Sequence, residues 1–169
     1  MRSRIFSLIE LLVVIGIIGL LAAMAFPAYN MVRNKSQMAS CTNNLKQIGL
    51  CINSYAMDNN DYLPVCERLE QLYGLPVLKD LLSPYSNGNV KIFVCPADRG
   101  VYIAHGTSYE WNSFINGLRI DKNKFLVGNN LITAPFCGDA SAFHNKKMNY
   151  LYPEGRVSDS YEVQIQQVE

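Results

Sequence analysis

The sequence contains one long apolar run near its N-terminus, from Phe6 to Phe26. The run reads FSLIELLVVIGIIGLLAAMAF and carries a single charge, that of Glu10. As a helix that rises about 1.5 Å per residue, it would span roughly 30 Å, the thickness of a bilayer's hydrocarbon core. The run therefore predicts a membrane-spanning helix, and it constrains every other interpretation of the chain.

The residues on either side of the run predict its orientation. Arg2 and Arg4 precede it, and a short basic leader favours an N-terminus that stays in the cytoplasm. Arg33 and Lys35 on the far side weaken this bias. A removable signal peptide has a shorter apolar core and then a small-residue cleavage site, which residues 22–27 resemble. The length of the run favours a retained membrane helix, and signal-peptide cleavage is the alternative.

Glu10 is a second constraint. A carboxylate within an apolar helix costs a few kcal/mol, so such a residue usually has a partner and a function. In one interpretation, Glu10 lies close enough to the membrane interface for its carboxylate to reach water. In the other, the chain is cut before Phe6, and the new α-amine lies four residues from Glu10 on the same helix face. A neighbouring copy shifted along its axis would then offer its own amine to Glu10.

Residues 6–15, FSLIELLVVI, resemble the processing and methylation signal of type IV prepilins and type II secretion pseudopilins. The resemblance implies cleavage between Ile5 and Phe6 by a prepilin peptidase, and N-methylation of Phe6. It also implies that Glu10 is the family's acidic fifth residue of the mature chain. Pro27 falls where many pilins have a helix-loosening proline. The family usually has glycine just before the cut, where this chain has Ile5.

The chain from Ala28 to about Met57 predicts a two-faced continuation of this helix. Apolar residues recur there at steps of three and four, which is an amphipathic helical stripe: Met38, Cys41, Leu45, Ile48, Ile52 and Tyr55. Pro27 kinks a helix rather than always ending it, so we predict one long helix. The polar residues 58–61 and Pro64 predict its end.

The rest of the chain predicts a small α+β head. Helical turns are predicted at Glu67–Tyr73 and Val77–Leu82. The predicted short strands are Val90–Cys95, Tyr109–Phe114, Lys124–Val127, Leu131–Phe136 and Met148–Tyr152, with a hairpin turn at Gly128–Asn130. We expect a small antiparallel sheet packed on the amphipathic half of the helix. The predicted organisation is a leader at 1–5, a hydrophobic helix at 6–27, its amphipathic half at 28–60 and a head at 61–169.

A second resemblance covers the end of the helix and the head. Cys41–Pro64, Cys95–Asp98 and Ser108–Asn112 are similar, in this order, to pilin-like proteins with an H-X9-DG C-terminal region. His144 is followed by nine residues and then by Glu154-Gly155, so glutamate replaces the aspartate of that signature. The two resemblances imply a pilin-like fold over most of the chain.

The five cysteines show neither a C-x-x-C motif nor paired metal-ligand spacing, which argues against a zinc or redox motif. Cys41 and Cys51 lie ten residues apart on one predicted helix, about 15 Å along its axis, and cannot pair with each other. Outside the cytoplasm, we predict disulfide bonding among Cys66, Cys95 and Cys137. The alternative is five free thiols that pack as small apolar side chains.

The sequence predicts no enzymatic activity. The candidate reactive groups are Cys137, His105, His144, Asp98 and Asp139, but a spacing of seven residues from Cys137 to His144 establishes no contact. No phosphate-binding loop, nucleophile elbow or H-E-x-x-H motif occurs.

Calcium is the one cofactor that the sequence leaves open. Asp58 and Asp61, or Asp139 with backbone carbonyls, are candidate ligands because calcium takes hard oxygen ligands from loops. Solvated turn residues are the alternative. A net charge of +1 with 17% charged residues gives no indication of a nucleic-acid partner.

These observations predict the structural subunit of a type IV pilus-like or type II secretion pseudopilus filament, a homo-oligomer. We expect a precursor in the inner membrane with its head outside the cytoplasm, which an assembly platform there incorporates into a periplasmic or cell-surface filament. Gly16 and Gly19 allow helices to approach closely, and Glu10 sets the axial register. The alternative is a monomeric binding module that the Phe6–Phe26 helix only anchors in the membrane.

Overall fold

The computed structural model describes residues 8–69, 74–144 and 146–167. The chain divides into two units, Met1–Ser36 and Gln37–Glu169. One helix, α1, extends from Leu8 to Asp58 and continues through Pro27. The prediction of one long helix is therefore confirmed, and so is its end at the polar residues that begin with Asp58.

The second half of α1 carries the predicted apolar stripe. Cys41, Leu45, Ile48 and Ile52 are buried. At the ends of the stripe Met38 is exposed and Tyr55 is half-buried, so the buried face is shorter than the sequence pattern. Gly49 lies on the same face, where an added Cβ would stand 3.1 Å from Leu151 Cδ2. The missing side chain thus lets the helix approach the head closely.

The head contains short helices. They are α2 (Leu78–Leu82), α3 (Val101–His105) and three single 3-10 turns at Pro84–Ser86, Val90–Phe93 and Ser113–Ile115. The predicted helical turn at Val77–Leu82 is confirmed. The predicted turn at Glu67–Tyr73 is not helical at 67–69, where Glu67 forms a bridge with Val77, and residues 70–73 lie outside the described chain.

The strand predicted at Val90–Cys95 is wrong. Residues 90–93 form a 3-10 turn because the Asn89 side chain accepts a hydrogen bond from Lys91 N at 3.2 Å. Ile92 and Phe93 are buried. The apolar residues in this segment are therefore explained by burial and not by an extended backbone.

The described residues form eight strands, arranged in two antiparallel sheets. The strands are β1 (Tyr109–Trp111), β2 (Ile120–Asp121), β3 (Lys124–Val127), β4 (Asn130–Thr133), β5 (Cys137–Asp139), β6 (Tyr150–Leu151), β7 (Val157–Ser158) and β8 (Gln164–Gln167). One sheet has the order β1-β5-β6-β7 and the other β2-β3-β4-β8. The predicted strands at 109–114, 131–136 and 148–152 are shorter in the structure, whereas Lys124–Val127 is confirmed with its exact bounds.

The hairpin between β3 and β4 is the one that the sequence predicted. Val127 pairs with Asn130, which leaves Gly128 and Asn129 as a two-residue loop. Gly128 has φ +58°, a conformation that glycine adopts at little cost.

Aromatic side chains fill the core between the second half of α1 and the sheets. Trp111 stacks on Phe136 with ring centroids 6.4 Å apart, and Phe136 meets Phe125 at 5.8 Å. The indole Nε1 of Trp111 donates a hydrogen bond to Asn116 Oδ1 at 2.6 Å. Asn116 also bonds both backbone groups of Cys66, at 3.2 and 2.9 Å. This one side chain therefore ties the core aromatic to the loop before α2.

Candidate functional site

The first half of α1 is apolar and exposed. Every described residue from 8 to 36 is exposed, including Leu8 at 81% and Phe26 at 69%. Monomeric soluble proteins rarely expose a contiguous apolar surface of this extent. This helix is the one in the described chain that is long and apolar enough to cross a membrane. The segment therefore requires a lipid or protein environment that a single chain does not supply.

The residues predicted to act in assembly all lie in this exposed half, apart from the processing site. Glu10 is in the first described turn of α1, and Pro27 lies within the helix without ending it. An added Cβ at Gly16 or at Gly19 would meet nothing within 4 Å. Nothing in the described chain therefore requires glycine at these two positions. Ile5 and Phe6, the predicted cleavage and methylation site, lie outside the described residues.

The disulfide predicted among Cys66, Cys95 and Cys137 is wrong in its pairing. Cys95 bonds to Cys41 of α1, and their Cα atoms are 5.2 Å apart. Cys51, Cys66 and Cys137 are free and buried. Burial raises the pKa of the Cys66 thiol to about 12, and it also raises the pKa of Cys137. Both thiols are therefore neutral near pH 7 and behave as small apolar side chains.

His144 lies against the disulfide. Its Nε2 is 3.3 Å from Cys95 Sγ, in a buried position. The sequence offered Cys137 as the candidate thiol partner of His144, but the sulfur in contact with the ring is that of Cys95. Burial lowers the pKa of His144, which favours a neutral imidazole. His105, the other candidate histidine, lies at the end of α3.

Asp98 caps a helix. Its carboxylate accepts hydrogen bonds from the backbone N–H groups of Gly100, Val101 and Tyr102, each at 2.8 Å, and from Ser108 Oγ at 2.6 Å. Burial raises the pKa of Asp98, but these hydrogen bonds outweigh burial and leave the pKa below its ordinary value. The role of Asp98 is therefore structural, at the N-terminus of α3.

Asp139 is fully buried in β5. Its Oδ2 accepts hydrogen bonds from Asn149 N at 2.9 Å and Asn149 Nδ2 at 2.8 Å. Its Oδ1 has no hydrogen-bond partner among the described residues. Burial raises the pKa of this carboxyl to about 6, although the bonds from Asn149 lower it in part.

The three candidate calcium ligands do not gather into one cluster in the described chain. Asp58 is the last residue of α1, and Asp61 pairs with Arg119 at 3.6 Å. Within the described residues, one group of at least three metal-ligating side chains has its ligand atoms within 4.8 Å of one another, namely Cys41, Cys95 and His144. Asp139 supplies one oxygen without a hydrogen-bond partner among the described residues, whereas calcium takes six to eight oxygen ligands. Calcium binding stays a prediction.

A cleft of ≈ 480 Å³ opens on the head surface beside β1 and β6. Aromatic side chains line it, including Phe114, Tyr150 and Tyr161. At its edge Arg68 donates to both carboxylate oxygens of Glu110, at 3.0 and 2.9 Å. The charged pair of this cleft, Arg68 and Glu110, is therefore mutually bonded.

A long N-terminal helix packed on a small antiparallel head defines an α+β, pilin-like protein. The chain is similar to core protein G of the type II secretion system from Escherichia coli (strain K12), with 27% identity over 113 residues. The similar region covers 60% of this chain and 78% of that protein. No protein-family model matches the chain, and no solved structure matches it. The similarity supports a pilin-like protein of the pseudopilus kind, and together with the apolar helix it suits an anchor in the inner membrane.

Proposed function

We propose that this protein is the structural subunit of a pseudopilus or type IV pilus-like filament, assembled through the first half of α1. The observation that carries the proposal is the complete exposure of an apolar helix half in a chain whose other half is packed. Before assembly, lipid covers this segment and the head lies outside the cytoplasm. After assembly, the same segments of neighbouring copies cover one another in the filament core.

The free energy of assembly comes from packing. Lipid tails are as apolar as leucine side chains, so moving the helix from bilayer to filament gains little hydrophobic energy. Small residues promote close helix contact under these conditions. Gly16 and Gly19 have open space around their Cα atoms in the single chain, which supports a role for both in contacts between subunits.

Processing precedes assembly in this proposal. A prepilin peptidase cuts between Ile5 and Phe6, and the new Phe6 amine is methylated. The amine of one subunit then pairs with the Glu10 carboxylate of its neighbour and sets the axial register. A charge left without a counterion in such a core is strongly destabilising, which makes the pairing selective. An inner-membrane assembly platform is the further partner.

Replacement of Glu10 tests this pairing. We expect Glu10→Ala and Glu10→Gln to insert in the membrane as the wild type does, as measured by resistance to alkaline extraction. Both should reduce the assembled fraction by more than about 10-fold, since an uncompensated amine in the core costs several kcal/mol. Glu10→Gln is the matched control for side-chain size. Normal filament yield in either variant, scored by electron microscopy and sedimentation, would contradict the pairing.

A monomeric anchored binding module is the second candidate. Ile5, where the resembling family has glycine, favours it, because it departs from the processing signal. The mass of the N-terminal peptide of the purified protein separates the two functions. A chain that begins at Phe6 supports the filament subunit, whereas an intact Met1 together with a monomeric state supports the anchored module.

A further inference from the structure

Three potential metal ligands converge in the interior of the head. Cys41, Cys95 and His144 are 0%, 1% and 6% exposed, and their ligand atoms all lie within 4.8 Å of one another. In the structure the two sulfurs form a disulfide, and His144 Nε2 is 3.3 Å from the Cys95 sulfur. We propose that this position has two alternative states, the disulfide and a zinc site in which the two reduced cysteines and His144 bind one Zn²⁺.

The distances suit zinc. Tetrahedral Zn²⁺ binds cysteine sulfur at about 2.3 Å and histidine nitrogen at about 2.0 Å, which places a sulfur and a nitrogen ligand about 3.5 Å apart. The observed 3.3 Å between His144 Nε2 and Cys95 Sγ is already close to this separation. Once the disulfide is opened, the two sulfurs need to separate to about 3.8 Å, which side-chain rotation supplies. The described residues offer three ligands, so a water molecule or another exogenous ligand completes the coordination.

Contacts other than the disulfide hold the backbones of these residues. Cys41 lies within α1, and Asn44 one turn later donates to Val94 O at 2.8 Å, next to Cys95. Cys95 N donates to Ser108 Oγ at 3.0 Å. Lys147 N donates to His144 O at 2.8 Å and closes the turn that carries His144, and Ala140, earlier in the same segment, donates from its N to Ser108 O at 2.9 Å. Because these bonds do not depend on the S–S bond, the three ligands stay together when it is reduced.

Conversion of the disulfide to the zinc site requires a reductant. Two molecules of a small thiol, or one phosphine and one water, reduce the disulfide to two cysteine thiols and are themselves oxidised to a disulfide or to a phosphine oxide. Zn²⁺ then displaces one proton from each thiol, and the two thiolates neutralise its charge. The two states exclude each other, because a sulfur in the disulfide is not a thiolate. Either state cross-links α1 to the head.

Zinc retention in two redox states tests the proposal. The full-length protein in detergent micelles is divided into an oxidised sample and a sample reduced with a phosphine, and each is equilibrated with zinc chloride and desalted without oxygen. We expect the reduced protein to retain one more zinc ion per chain than the oxidised protein, as measured by plasma mass spectrometry. Cys51, Cys66 and Cys137 are free in both samples, so the oxidised protein supplies their background.

Single substitutions test which residues bind the zinc. His144→Ala and Cys41→Ser should lose the additional zinc or bind it much more weakly. Replacing a residue that only hydrogen-bonds to a metal ligand typically lowers metal affinity 10–100-fold, and these two substitutions should lower it further. Cys137→Ser is the matched control, and it should retain the zinc. Cobalt in place of zinc should give thiolate-to-metal charge-transfer absorption in the reduced wild type and not in Cys41→Ser.

Reduction also removes a cross-link, so a second measurement follows folding through Trp111 fluorescence. We expect zinc to raise the melting temperature of the reduced wild type and to leave that of the oxidised protein unchanged. Equal zinc retention in both redox states would overturn the proposal. An unchanged affinity in His144→Ala would do the same, as would a reduced protein that zinc fails to stabilise.

Discussion

Replacing Asp139 with asparagine should change the stability of the head in a pH-dependent way. The free energy of unfolding of the variant, relative to that of the wild type, should be higher at neutral pH than at acidic pH. Asp139 is buried in β5, with one carboxylate oxygen bonded to Asn149 and the other without a partner among the described residues. A buried charge that is only half satisfied is costly, and this is why burial raises the pKa of the carboxyl to about 6. The variant keeps the shape of the side chain and removes the charge.

The magnitude follows from linkage. The ordinary pKa is 3.8, so between pH 3.8 and about 6 the folded protein holds a proton that the unfolded chain has released. The free energy of unfolding of the wild type therefore falls as the pH rises through this window, by about 3 kcal/mol in total. Asparagine has no proton to release. The stability of Asp139→Asn minus that of the wild type should thus rise by about 3 kcal/mol from below pH 4 to above pH 6.

Neighbouring groups do not obscure this difference. Tyr109 pairs with Asp139 in register across β1 and β5, and Cys137 lies on the same strand. Burial raises the pKa of both side chains, so neither titrates in the acidic window. The amide nitrogen that replaces the unpartnered oxygen lowers the stability of the variant by the same amount at every pH, and the slope is unaffected.

The assay is urea unfolding of the full-length protein in a nonionic detergent, followed by the fluorescence of its single tryptophan, Trp111, from pH 4 to 7.5. Asp159→Asn is the control. A hydrogen bond and an ion pair from Lys147 lower the pKa of Asp159 below its ordinary value of 3.8, so its contribution to stability is lost only below the pH range of this assay, and its difference curve should stay nearly flat from pH 4 to 7.5. A difference between Asp139→Asn and the wild type that is flat from pH 4 to 7 would refute the reasoning.

Two further substitutions test the packing of the head with the same unfolding assay. An added Cβ at Gly138 would lie 2.7 Å from Tyr150 Cδ1 and 2.8 Å from Asn149 O, so Gly138→Ala should lower the free energy of unfolding by about 3 kcal/mol; a loss below about 0.5 kcal/mol would be inconsistent with that contact. Asn116→Ala removes the partner of the Trp111 indole and of both Cys66 backbone groups, and it should cost about 2 kcal/mol. A neutral result would show that water replaces these bonds.

The sequence correctly predicted two elements, a helical stripe and a hairpin, that depend on residues close together in the chain. The stripe in the second half of α1 follows from a period of 3.6 residues, and four of its six positions are buried. The β3–β4 hairpin follows from Gly128 and the strands beside it, because a two-residue loop fixes the register by itself. In both cases the residues that decide the structure lie within a few positions of one another.

The prediction failed in one place through a local side-chain contact and in another through a contact between distant residues. Val90–Phe93 has a strand-like composition, but the side chain of Asn89 closes a turn there. Cys41 and Cys95 are 54 residues apart, and periodicity says nothing about such a pair. One signal was available. Cys41, Cys95 and His144 each begin a segment of the H-X9-DG resemblance, and residues that open separate matching segments are candidates for one shared site.

The exposed apolar half of α1 needs a nonpolar environment, but lipid and neighbouring helices accept apolar side chains almost equally well. Assembly rather than simple anchoring is favoured by the residues that an anchor does not require. A carboxylate within the span costs a few kcal/mol in a bilayer, and each helix-interior glycine costs about 1 kcal/mol relative to alanine. Glu10, Gly16 and Gly19 therefore make a solitary anchor worse. In the proposed filament, the same carboxylate would gain a neighbour's amine and the same glycines would gain close helix contacts. The proposed assembly thus gives all three residues a physical reason.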